Sequence, residues 1–374
     1  MNLTDVNKIE LELTSRCNAA CPGCARTLNP GKFPIADLTI ADIKRLFPVE
    51  YIKDKKFKLC GVLGDPVFND DCLEITEYIV RNGGYCQIST NAGIQTAGWW
   101  RKLGALSAET GLVDVAFCID GHAETNHIYR VNTYFPTILR NLESYYQGGA
   151  GQALGTWVYI VFDHNEHEVD AARETAQRLN LKFALRTGMR NSMSNWVAEV
   201  KTKKSDHVVR EQRTITTTGE KEHSKKQQVQ QIESVVTQYQ QSVVNSTPVS
   251  SEVRQLVAET VSTITCKLVH EGEIFIASNL TVWPCCFLWD SYFKNKDSIV
   301  DKLSDFDSDW NSVATKSIAD VIGHRWFSNE LGESWNFDHP RHLTRCVKTC
   351  AHNKAYHNEV KIIDQHGKTT EISQ

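Results

Sequence analysis

Ile9-Glu-Leu-Glu-Leu13-Thr-Ser-Arg-Cys17-Asn-Ala-Ala-Cys21-Pro-Gly-Cys24 places three cysteines directly after apolar residues that alternate at Ile9, Leu11 and Leu13. Alternation with a period of two marks a strand, so three thiols leave the end of a first strand on one short loop. Their spacing is C-x3-C-x2-C. Thiolates crowded in this way hold a soft metal, and three of them leave one iron of a cubane cluster without a protein ligand. An open coordination position is where a metal centre does chemistry. The opposing reading is a zinc knuckle or a set of buried thiols. No fourth Cys or His lies close by in the sequence to close such a tetrahedral site.

Outward from this loop, residues 8–186 divide into six strand–helix units, the pattern of a parallel βα architecture. Strands are predicted at 8–14, 57–62, 85–90, 112–119, 155–162 and 181–186, and helices near 40–47, 71–82, 97–109, 133–147 and 166–179. Thr39 stands where the first helix needs an N-cap, and Gly83-Gly84 where the second should stop. Six units make an open partial barrel rather than the closed ring of eight. In such folds the carboxyl ends of the strands carry the site, and the cysteine loop is at one of them.

Three further strand ends carry candidates. After the second comes Cys60-Gly-Val-Leu-Gly64-Asp65-Pro66, where Gly64 permits a sharp turn, Asp65 accepts hydrogen bonds and Pro66 stiffens the exit. Asn91 lies in a turn after the third, and Cys118, Asp120 and Arg130 follow the fourth. Arg130 offers a charge-assisted fork for a carboxylate or for ribose hydroxyls. His164 and His167 are read as solvated turn residues rather than a metal pair.

Residues 195–263 are richer in Gln, Thr, Ser, Lys and Val, and their apolar positions recur at near-helical spacing over 229–244 and 253–264, on either side of Pro248. They read as a polar helical insertion. Residues 264–354 carry five more cysteines, with a β-hairpin turning at Ser278-Asn279 that brings Cys266 near Cys285, and Cys346 and Cys350 returning later. Four thiolates from two separated pairs can close around a full cluster, and zinc, which uses similar pairs, is the alternative. Cys60, Cys72, Cys86 and Cys118 lie in apolar surroundings and read as small buried hydrophobes. Trp310, Trp326, Trp335, His339 and His342 read as packing of the second unit.

The fold class is therefore α/β: a partial (β/α)6 TIM-like barrel at 1–194, the helical insertion at 195–263, a small C-terminal β-hairpin-containing iron–sulfur domain at 264–354, and a tail at 355–374. With 41 basic and 45 acidic side chains among 374 residues, the balance points away from nucleic acid. Lys201, Lys203, Lys204, Arg210 and Arg213 are diluted by Asp206, Glu211, Glu220 and Glu222, so an RNA-modifying role stays an alternative only. No basic start followed by an apolar core and no apolar stretch of about 20 residues is present, which predicts a cytoplasmic protein without a membrane partner.

The cysteine loop resembles that of the radical S-adenosylmethionine (radical SAM) superfamily. Gly64-Asp65-Pro66 resembles that family's Gly-Gly-Glu-Pro segment, Asn91 its Thr-Asn-Gly turn, and Cys118-Ile-Asp120-Gly its Ser-Ile-Asp-Gly segment, with Arg130 at the matching distance. The resemblance implies a [4Fe-4S] cluster on Cys17, Cys21 and Cys24, with S-adenosylmethionine on its fourth iron and against Gly64, Asp65, Pro66, Asn91, Cys118, Asp120 and Arg130. It implies reductive cleavage to a 5′-deoxyadenosyl radical that abstracts hydrogen, fed by a reductant such as flavodoxin or ferredoxin. The second unit resembles the shortened "twitch" form of the SPASM domain, implying one auxiliary [4Fe-4S] cluster on Cys266, Cys285, Cys346 and Cys350, with Cys286 as an alternative to Cys285. Substrates of such relatives are small alcohols or sugars and peptide side chains; no catalytic residue is assigned. A non-catalytic electron carrier or zinc-stabilised scaffold is the rival from another class.

Overall fold

The computed structural model describes residues 3–186, 249–294, 299–351, 359–363 and 369–373, with 234, 237–239 and 241 besides. Six parallel strands run in sequence order: β1 (Lys8–Leu11), β2 (Lys56–Leu59), β3 (Tyr85–Thr90), β4 (Val113–Cys118), β5 (Leu154–Ile160) and β6 (Lys182–Arg186). Between them lie α1 (Ile40–Leu46), α2 (Cys72–Arg81), α3 (Ala97–Thr110), α4 (Phe135–Gly148) and α5 (Val169–Arg178). The expected partial barrel is present, and each of these elements falls within a few residues of its predicted span.

The local reasons are visible in the helices. Thr39 closes a capping box with Asp42 at the start of α1, which satisfies two backbone donors that the helix itself leaves unpaired. In α2, Cys72, Ile75, Ile79 and Val80 are buried on one face, the spacing that lays a helix on a sheet. Each such side chain taken fully out of water contributes about 1.5–3 kcal/mol.

The sheet does not close on itself. Its ten strands run β10-β9-β6-β5-β4-β3-β2-β1-β7-β8, with β7 (Glu273–Ile276), β8 (Val282–Trp283), β9 (Glu359–Ile363) and β10 (Thr369–Ser373). β7 and β8 form the expected hairpin, but β7 also pairs in parallel with β1, Glu10 opposite Phe275. The second cysteine unit is thus hydrogen-bonded into the barrel sheet, an arrangement that strand patterns alone do not reveal. The 355–374 tail also departs from expectation, because β9 and β10 pair antiparallel with each other and β9 with β6.

Of the insertion, a helix over Ser251–Ser262 is present, capped by Ser250. The first helical run and the basic stretch fall outside the described residues, apart from the few positions named above. Trp310, Trp326 and Trp335 belong to the core of the second unit, Trp310 and Trp326 meeting edge to face at 5.0 Å. His342 packs on Phe337, and burial, helped by Lys302, pushes its pKa down to about 4.

Candidate metal and cofactor site

The three-cysteine loop leaves β1 and is held by its own backbone. Cys24 N–H donates to the Cys21 carbonyl, Ala19 N–H to the Cys17 sulfur at 3.3 Å, and Ala20 N–H to Val131. Arg26 clamps it by donating to the Ala19 carbonyl and, at 3.2 Å, to the Leu63 carbonyl, and it lines the same cavity as the cysteines. Arg26 was not among the sequence candidates, since nothing about a lone arginine in a short helical turn, Ala25–Leu28, marks it as a clamp. Burial pushes the Cys17 thiol up to about 12, assisted by the Asp65 carboxylate, and it raises Cys21 against the opposing pull of Arg130. A bound cation would have to displace these protons, since cysteine ligates as the thiolate, and three sulfurs on one cavity are a soft donor set. The donor set therefore fits a soft metal.

The loop after β2 lies directly against this one. A Cβ on Gly64 would stand 1.8 Å from the Thr14 carbonyl oxygen, so only glycine allows the two backbones to approach. Asp65 is a stitch: its N–H donates to Arg16, and its carboxylate accepts from Val67 N–H at 3.2 Å and Asn91 N–H at 2.7 Å. Asn91 in turn donates to Asn18 at 3.0 Å and to the Cys17 sulfur at 3.5 Å. Gly64→Ala should therefore displace loop 61–65 and weaken at least tenfold the binding of S-adenosylmethionine that the sequence resemblance implies, a loss of about 1.4 kcal/mol. Equilibrium dialysis of the iron-loaded variant checks this; native affinity would refute the role given to the close approach.

At the end of β4, Asp120 is wholly buried and accepts from Ile160 N–H at 2.8 Å and from Arg130 Nε at 2.7 Å. Arg130 then turns an Nη toward the Cys21 sulfur at 3.8 Å. Cys17, Cys21, Cys24, Gly64, Asp65, Asn91, Cys118 and Arg130 line one open cavity of about 220 Å³. Asp120 and Pro66 do not line it: the first reaches it through Arg130, and the second starts the turn Pro66–Phe68 behind it.

Cys266, Cys285, Cys346 and Cys350 line a second, enclosed cavity of about 20 Å³ with Trp335 and Leu331. Cys286 does not line it. Cys285 is extended, with φ −168° and ψ 162°, and Cys286 begins a helix, so the two side chains diverge.

Between the two cavities the inner face of β1 and β2 carries charge. Glu10 is 3% exposed; its Oε1 accepts from the Cys60 thiol at 2.7 Å and from Lys58 Nζ at 3.2 Å. Its Oε2 has no hydrogen-bond partner and faces Lys267 Nζ at 3.8 Å. Burial would raise the pKa of Glu10, but Lys58 and Lys267 overcome it and hold the pKa at about 2. Cys286 lies near these groups, and Glu10, Lys267 and Lys58 act on its thiol. Cys72 and Cys86 are the buried hydrophobes expected, whereas Cys60 and Cys118 line the first cavity. The sequence signal that was available is the pair Glu10 and Glu12 inside a first strand. A strand central to a parallel sheet is buried on both faces, so its alternate residues cannot be solvated.

Of the two histidines at 163–167, His167 is exposed, whereas His164 is half-buried with its Nε2 out of solvent. His164 stacks on Phe162. His167, Glu124 and Glu168 converge, yet Glu168 is already occupied by His122 N–H, Glu124 N–H and the Thr125 hydroxyl. Among the described residues no helix is long and apolar enough to cross a membrane.

No family model matches the chain, and no curated protein does. Among solved structures it is similar to Streptococcus suis SuiB bound to S-adenosylmethionine, at 9% identity and TM-score 0.46, over 90% of this chain and 67% of that one. It is similar to native anSMEcpe with bound AdoMet and a Cp18Cys peptide, at 14% identity and TM-score 0.43, over 93% and 89%. It is also similar to BtrN in complex with AdoMet and 2-DOIA, at 13% identity and TM-score 0.40, over 92% of both chains. The chain spans about two thirds of the length of SuiB.

Proposed function

We propose that this protein is a radical S-adenosylmethionine enzyme with one auxiliary [4Fe-4S] cluster. The observation that carries the reading is the convergence of Cys17, Cys21 and Cys24 with loop 61–65, Asn91, Cys118 and Arg130 on one cavity. Three thiolates leave one coordination position open, and the surrounding segments suit a polar ligand that fills it. A [4Fe-4S] cluster there supplies, with S-adenosylmethionine bound, the electron for reductive cleavage that begins hydrogen abstraction from substrate. The chain's own contribution is positional. Asp65 and Asn91 tie the ligand loop to Cys17, and Asp120 aims Arg130 at the cavity beside Cys21.

Cys266, Cys285, Cys346 and Cys350 would hold the second cluster with no position left for substrate, so its role is electron transfer or structure. Cys285 and not Cys286 lines the second cavity, which supports Cys285 as the ligand. We place the substrate, a small alcohol or sugar or a peptide side chain, in the open first cavity, which Cys60 lines beside the buried Glu10. A one-electron donor such as flavodoxin or ferredoxin completes the system. Electron paramagnetic resonance of the reduced, anaerobically reconstituted protein tests the division of labour. Adding S-adenosylmethionine should alter the signal lost in the Cys17/Cys21/Cys24 variant and leave the other unchanged; no change in either would refute the proposal.

A further inference from the structure

Glu12 stands one strand period beyond Glu10 and is wholly buried. Its Oε1 accepts from the N–H groups of Val62 at 3.0 Å and Leu63 at 2.9 Å, inside the loop that closes the first cavity. Its Oε2 accepts from the Ser278 hydroxyl at 3.2 Å and its N–H at 3.5 Å, at the turn of the β7–β8 hairpin. The Glu12 N–H donates to the Ile276 carbonyl at 2.9 Å, at the end of β7. One carboxylate therefore takes donors from the ligand loop with one oxygen and from the second cysteine unit with the other.

A buried carboxylate is costly, and an apolar residue would fill this strand position without that cost. What it supplies is a rigid tie between two loops that share no strand pairing. We propose that Glu12 is a positioning residue: it holds loop 61–65 in the shape that receives S-adenosylmethionine and couples that loop to the hairpin carrying Cys285. This rests on the reading of loop 61–65 as a ligand segment. Burial pushes the Glu12 carboxyl up to about 7, against the lowering effect of the Leu63, Ser278 and Val62 hydrogen bonds. The other titratable groups on the elements packed around it are Glu10 on β1, Lys58, Cys60 and Asp65 beside the loop, and Glu273, Lys267 and Cys286 beside the hairpin. Above about pH 7 the ionised Glu12 accepts four charge-assisted bonds, which are roughly twice as strong as neutral ones. Below it, the carboxyl carries a proton and the tie loosens.

The test is S-adenosylmethionine binding to the iron-loaded full chain at about pH 8 and about pH 6, in the native protein and in Glu12→Gln, a variant of equal size that does not titrate. Native affinity should fall about tenfold at the lower pH, the factor expected for losing the charge from a buried hydrogen-bonded acceptor. Glu12→Gln should show no such fall and should bind at both pH values like the native protein at the lower one. The same slope in Glu12→Gln as in the native protein overturns the assignment. Ser278→Ala cuts the hairpin side alone, and amide hydrogen exchange at Val62 and Leu63 should then quicken. Unchanged exchange there overturns the coupling. No binding by the native protein at either pH removes the ligand-loop reading itself, and the inference with it.

Discussion

Replacing Cys17, Cys21 and Cys24 together by Ala is expected to abolish S-adenosylmethionine cleavage and to halve the iron content, from about eight to about four atoms per chain on the stoichiometry of two four-iron clusters. The fold should survive. The loop is held by Cys24 and Ala20 backbone bonds and by Arg26, none of which needs a sulfur, and β1 is packed by Ile9, Leu11 and Leu13. On the proposed reading the remaining iron would be held by Cys266, Cys285, Cys346 and Cys350, which line a separate cavity. Cleavage product is measured by chromatography of 5′-deoxyadenosine, and metal by elemental analysis of the same sample. Unchanged turnover would remove the mechanism. Stoichiometric zinc with no cluster absorbance would overturn the auxiliary assignment and leave the first site standing.

Arg130→Met should cost about 3–5 kcal/mol of stability, the usual penalty for taking one partner from a buried ion pair. Asp120 is wholly buried, and besides Arg130 its carboxylate accepts from the Ile160 N–H. Burial raises the Asp120 pKa, with Arg130 the leading opposing influence; without Arg130 it rises further. A group whose folded pKa lies above its unfolded value contributes stability at low pH and loses it as pH rises. The variant should therefore be most deficient near neutral pH and should recover on acidification. Asp120→Asn combined with Arg130→Met should regain most of the stability, since Asn still accepts from Ile160, but not the cleavage activity. Denaturant midpoints at two pH values decide it. A loss independent of pH, or a double variant no more stable than the single, would contradict this account of the pair.

Part of this protein was legible residue by residue. The three-cysteine spacing, the six strand–helix units and the turn residues Gly64, Asp65 and Asn91 are local patterns, and each follows from chain geometry within a few residues. Cys285 and Cys286 mark the edge of that legibility, because adjacent thiols are equivalent until the backbone turns one of them, Cys285, into the enclosed cavity and starts a helix at the other.

What the sequence by itself determined is the grouping of three thiols at the end of the first strand and the order of the parallel strands, because cysteine spacing and hydrophobic period act over short stretches. The tertiary structure alone decided that β7 pairs with β1 and so brings Ser278 to Glu12 and Lys267 to Glu10. These contacts join residues more than 250 positions apart, and no local propensity records which sheet edge a distant hairpin will extend. That choice is set by burying both faces of β1. The same burial makes the two carboxylates costly and ties them to their partners.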